Sequence, residues 1–222
     1  MAPARTLLLA TVLALALAAA AAADNPTVRI AEEDQARAEA ALARLSDFGA
    51  GWSGGARTPE PLTGPACPGF DPKESDLVVT GHAQARFAYA RGGVVVEQDT
   101  QVLESELAVK TDFTRTVQPA LARCLAHEIR ASANGSVRSV AVRSLPFPRV
   151  GALSAAYRAV VVVRSGRRVA RIVSDFVFVG QGRLEFSLNV VAPAVEQNEL
   201  VPFEQAIVEK LVSRSRTPGA VA

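Results

Sequence analysis

The chain has 222 residues, 49% of them hydrophobic, with 24 Lys and Arg against 22 Asp and Glu. That length suits one domain with a full core, and so even a charge balance offers no overall attraction to nucleic acid or an anionic membrane. Aromatic residues make up only 5% of the chain, which leaves few platforms for stacking on sugars.

Residues 1–23 read as a secretory signal peptide. Arg5 supplies the basic start, the run 7–23 contains only one polar residue, Thr11, and it closes on Ala21-Ala22-Ala23, a small-residue cleavage pattern. The run is slightly short of the roughly 20 apolar residues that span a bilayer, so cleavage before Asp24 is expected rather than a retained anchor. No cysteine follows at once to accept a lipid, and no second long apolar stretch occurs. The expected product is secreted or extracytoplasmic, with no transmembrane span after cleavage.

Segment 24–46 is expected to be an N-terminal helix over 30–45, rich in the helix formers Ala, Glu and Arg. Glu32, Glu33 and Asp34 suit its first turn, and its apolar face is mostly Ala with Leu42 and Leu45. Segment 47–76 is crowded with Gly and Pro, so no regular element is expected there. A loop that long is either functional or disordered. Trp52, Cys67 and Phe70 offer anchors, and an ordered loop belonging to the main domain 77–214 is expected.

Cys67 and Cys124 are the only cysteines. In an oxidising compartment they should pair, which restricts the unfolded chain by roughly 4 kcal/mol in the chain-entropy model. A metal site would need more ligands than Cys124 and His127 can supply, so no metal and no cofactor is expected.

From Leu77 the odd positions Leu77, Val79, Ala83, Ala85, Phe87 and Tyr89 alternate with Thr80, His82, Gln84 and Arg86. That is a strand with one buried and one largely wet face. Arg91-Gly92-Gly93 turns into a return strand over 94–102. Residues 105–130 then switch to helical spacing, with Phe113, Val117, Leu121, Leu125 and Ile129 in one stripe, and Pro119 should kink or divide the helix. Cys124 lies beside that stripe, while His127 and Glu128 face away from it. After Asn134-Gly135, strands are expected over 137–147, 157–164, 169–179 and 184–190, joined by short turns and so antiparallel. Arg164, Arg167, Arg168 and Arg171 surround one of these turns and read as a solvated tip. An amphipathic helix over 198–214 precedes a disordered tail, 215–222. The fold class is α+β, an antiparallel sheet of about six strands with flanking helices.

Gly51-Trp52-Ser53-Gly54-Gly55 matches the letter of a serine-hydrolase elbow, but that motif needs a strand before it and a helix after it. Neither is expected here. Asn134-Gly135-Ser136 is a formal glycosylation acceptor, relevant only to a eukaryotic secretory route. His82 stands between Thr80 and Gln84 on a polar strand face, with no nucleophile or carboxylate tied to it by spacing.

Across residues 65–212, several features stand in a familiar order: Cys67 ahead of paired strands, the hairpin at Arg91-Gly92-Gly93, the helix with Phe113, the Leu121–Leu125 segment bearing Cys124, and a late hairpin before a C-terminal helix. The pattern resembles the exported sensor-like domains of high-GC Gram-positive bacteria, similar in architecture to the Mog1/PsbP-like α/β/α sandwich. Sensor domains of receptor kinases in that group carry more than one disulfide, whereas this chain can form only one, and it has no kinase segment. The resemblance implies a ligand- or protein-binding role with no catalytic residues to carry over.

The expected function is therefore non-enzymatic binding of an unknown small ligand or envelope protein, without nucleic acid. A cleft between the strand face around His82 and the loop bearing Trp52 is the expected ligand site. The alternatives are a secreted hydrolase using Ser53 or His82, and a structural or assembly partner at the cell envelope.

Overall fold

The computed structural model describes residues 24–65, 67–132, 137–165 and 168–216. The expected signal peptide 1–23, the acceptor Asn134-Gly135-Ser136, Gly166 and Arg167 of the arginine-rich turn, and residues 217–222 of the expected tail lie outside that range.

The alternating segments form the centre of one sheet. β3 (Val78–Tyr89) and β4 (Val94–Leu103) pair antiparallel, with an irregularity between Val79 and Gly81. β4 then pairs with β8 (Leu184–Pro193), and the sheet continues through β7 (Arg168–Gln181) and β6 (Leu153–Ser165) to β5 (Val137–Ser144), all antiparallel. At the other edge, β3 takes β1 (Thr27–Val28) in parallel beside its start and β2 (Trp52–Arg57) antiparallel along its later half. The sheet has eight strands where about six were expected.

Both additional strands lack an alternating signature. β1 is only two residues long. β2 lies within the segment where glycine density argued against any element. Gly54 shows how it forms: its φ is 127°, and a Cβ there would fall 2.1 Å from the Arg86 carbonyl oxygen. The glycines that weaken a free strand let this one lie against β3. After Arg57 the chain stays irregular until β3, apart from an isolated bridge between Cys67 and Phe70.

Helices cover both faces. α1 (Glu32–Ala40) and α4 (Gln197–Ser215) pack on the face carrying Phe87, Val96, Leu184, Leu188 and Val190, where Ala38, Leu42, Leu200, Ile207 and Leu211 complete the largest core cluster. α1 stops at Ala40, and the chain turns inward to bury Ala41, Leu42 and Ala43, leaving Leu45 46% exposed rather than on the apolar face expected of it. Gly81 permits the close approach of α1, since a Cβ there would lie 2.2 Å from the Asp34 carbonyl oxygen. Asp34 in turn accepts from Arg183 at the start of β8.

On the opposite face lie α2 (Glu106–Thr116) and α3 (Pro119–Ser132), separated where Pro119 opens the second helix. Ser105 caps α2 by accepting from the Ala108 N–H. Leu121 and Cys124 of α3 pack with Tyr157 and Phe178, and Val109 of α2 packs with Leu77 and Leu103.

One ionic group is enclosed beneath α4. Arg158 of β6 donates two hydrogen bonds to its cross-strand neighbour Asp175, at 2.7 Å from Nε and 2.5 Å from Nη2. Glu204 of α4 joins them with no solvent exposure and no donor among the described residues. Burial first, and then the Asp175 charge, push its carboxyl up to about 9, so it is protonated at neutral pH.

Candidate functional site

The polar face of β3, expected to be largely wet, is covered at His82 and Gln84 and open at Arg86. His82 is 8% and Gln84 7% exposed, because the irregular segment after Arg57 runs across that face as a roof. Between roof and sheet lies a cavity of about 400 Å³. Its floor comes from β3, β4 and β8, through Leu77, Val79, Gln84, Asp99, Gln101, Leu103, Glu185 and Ser187. One side is formed by Asp112 and Thr116 of α2 with Leu121 and Leu125 of α3, and the other by Pro26.

Several bonds fix the roof. Cys67 and Cys124 form the expected disulfide, with Cα atoms 5.4 Å apart, and this ties the roof to α3. The Glu60 N–H donates to Gln84 Oε1 at 3.2 Å, and the Gly64 N–H donates to Asn25 Oδ1 at 3.1 Å. Arg115 of α2 forks onto Asp76 at 2.6 and 3.1 Å while also donating to the Lys73 carbonyl.

The charged residues lining the cavity are all acidic. Glu74, from the roof, is only 9% exposed and accepts no side-chain hydrogen bond among the described residues. Burial, reinforced by the charges of Asp112, Asp24 and Asp71, pushes its carboxyl up to about 7. Glu185 from β8 lies within hydrogen-bonding reach of Asp112, and its Oε2 is buried without a partner. Burial and the charge of Asp112 raise Glu185 well above the usual carboxyl range. Asp112 is also raised by burial, against the opposing hydrogen bond from Thr116. Asp99 accepts from Gln84 and lies 3.0 Å from His82 Nε2.

The residues singled out from sequence separate here. His82 meets the cavity through Asp99 rather than lining it. Trp52 is elsewhere: it stacks on Phe203 with ring centroids 5.5 Å apart and touches Phe48 and Tyr89, so it anchors β2 rather than the cavity. Ser53 pairs with Ala88, six residues along β3 from His82, which at a strand rise of about 3.3 Å per residue is roughly 20 Å away. Glu74, Asp112 and Glu185 went unrecognised. Each occupies a position that reads as solvated: a loop, a helix flank and the polar side of a strand. Only the roof turns them inward.

No protein-family model matches the chain, and no curated protein matches it. The functional reading therefore rests on the cavity.

Proposed function

We propose that the protein is an exported, non-enzymatic binding module of sensor-like type that holds a small ligand in the roofed cavity. The observation carrying this reading is the cavity itself. Its volume lies in the range of small-molecule sites, and it combines apolar walls with a few inward-facing polar groups. A disulfide fixes the roof, a pre-organisation that lowers the ordering cost of binding. Binding rather than hydrolysis is supported by the separation of Ser53 from His82 and by the engagement of His82 with Asp99. Helices on both faces of the sheet are consistent with the resemblance to Mog1/PsbP-like sandwiches, although fold likeness alone does not establish a function. Export is supported by the pattern of residues 1–23 and by a disulfide suited to an oxidising compartment.

Two measurements test the reading. The intact mass of protein recovered outside the cytoplasm should correspond to a chain beginning at Asp24, and a full-length mass would refute the expected cleavage. In a small-molecule thermal-shift screen, ligands of the cavity should raise the melting temperature of the wild type but not of a Ser187→Phe variant, whose added ring fills the floor. Ligands that stabilise both proteins equally, or no stabilising ligand at all, would refute the cavity as the site.

A further inference from the structure

We propose that the cavity's ligand is an organic cation, a primary ammonium on an apolar body, held by Glu74 and Glu185. This inference rests on the binding reading above and names its ligand class. A buried carboxyl without a donor is costly, and unpartnered polar groups facing a cavity are uncommon unless something else satisfies them. Glu74 is more than nine-tenths buried, lines the cavity and has no hydrogen-bond donor among the described residues. The Oε2 of Glu185 is itself buried and unpartnered.

The surrounding side chains do not supply the missing cation. Arg115 of α2 is committed to Asp76 and the Lys73 carbonyl, and Lys73 itself lies 3.3 Å from Asp76. Asp24 and Asp71 add negative charge near Glu74, and Glu60 lines the same cavity. On the floor, Asp99 is shared between His82 and Gln84.

An ammonium has three N–H donors, enough for Glu74 and for the unpartnered oxygen of Glu185. A bare metal ion fits less well. Among the described residues, the only group of three metal-ligating side chains within 4.8 Å of one another is Cys67, Cys124 and Glu128, and its two sulfurs are bonded to each other. Asp112 already accepts from Thr116, so among the described residues no three free carboxyls converge on one point to form an ion's shell. Leu77, Val79, Leu103, Leu121, Leu125 and Phe178 leave an apolar volume for the rest of the molecule.

An ammonium placed among these groups favours their ionised forms, so binding should release protons. The test is isothermal titration of the oxidised protein, obtained by exporting the full chain, with phenethylamine, phenethyl alcohol and phenylacetate. Phenethylamine should bind with a heat that varies with the ionisation enthalpy of the buffer. Its affinity should rise about ten-fold between about pH 6 and about pH 8, as Glu74 loses its proton. Glu74→Gln should weaken the amine about ten-fold or more and flatten that pH dependence. Phenethyl alcohol should bind both proteins equally, which also reports that the variant is folded. Phenylacetate should not bind.

Equal binding of the amine and the alcohol would overturn the cation inference while leaving the binding reading intact. Stabilisation by calcium chloride that disappears in Glu74→Gln would also overturn it, in favour of an inorganic ion. If the amine fails while screening ligands still bind in a Ser187-sensitive way, only the cation inference falls. If neither binds, both readings fall.

Discussion

Arg158 shows what a single enclosed charge demands of its neighbours. Its two hydrogen bonds to Asp175 lie beneath α4, where water cannot replace them. Arg158→Met should cost about 3–5 kcal/mol in urea unfolding, because it leaves the Asp175 carboxylate buried without its cation. Replacing both partners with apolar residues of similar volume should cost less than the single change. A double variant that is worse than the single one would mean that the pair contributes net stability. Gly81 makes a steric point at the same scale. Gly81→Ala places a methyl against the backbone of α1 and should destabilise by about 1–3 kcal/mol. Gly55→Ala, which meets nothing within 4 Å, should stay within about 0.5 kcal/mol of wild type.

The roof segment after Arg57 behaves as an element of its own, although it has almost no regular structure. It is held by the disulfide, two backbone-to-side-chain hydrogen bonds and the fork of Arg115. Replacing Cys67 and Cys124 with serine should lower stability by up to about 4 kcal/mol. Amide exchange should rise mainly across 58–76, with little change in β4 and β8, and an even rise across the sheet would show that the roof does not open separately. The same segment explains what could be read in advance. The hairpins around Arg91-Gly92-Gly93 and the β6–β7 turn, the break at Pro119 and the closing amphipathic helix were legible because each has a periodic face or a strong breaker. The pairing of Cys67 with Cys124 was legible from their number and the expected compartment. β2 was not, because contact with β3 creates it rather than any pattern of its own. The burial of His82, Gln84 and Glu185 was hidden for a related reason: alternation shows that a face is polar, but not that a distant segment covers it.

Taken as a whole, the molecule carries its unusual protons on acids. Glu74 is raised to about 7 and Glu204 to about 9, both chiefly by burial, and Asp112 and Glu185 are raised as well. An unfolded glutamate loses its proton near 4.5. The folded state therefore retains protons that the unfolded chain has released, and stability falls as pH rises from about 4.5 through 7 and on through 9. Asp76 acts in the opposite sense. Its hydrogen bond from Arg115 lowers it to about 2, so its contribution is present above the ordinary value of 3.8 and fades as pH falls toward 2. Stability should peak in mildly acidic solution. Denaturant midpoints measured across that range should show the alkaline decline, and Glu204→Gln should flatten its upper part. A midpoint that climbs from pH 5 to pH 9 would contradict the assignment of these protons.

The start of the described chain forms part of the cavity: Pro26 lines its wall, Asn25 accepts from the roof, and Asp24 lies within electrostatic reach of Glu74. Cleavage after Ala23, as proposed, would create an α-ammonium on Asp24, a group that titrates near 7.7–8.0 when free. Maturation would then be a charge edit as well as a release, placing a titratable cation near Glu74. The precursor should hold a given amine more tightly than the processed protein. N-terminal acetylation of the processed chain, which removes the new charge without restoring the leader, should recover the tighter binding.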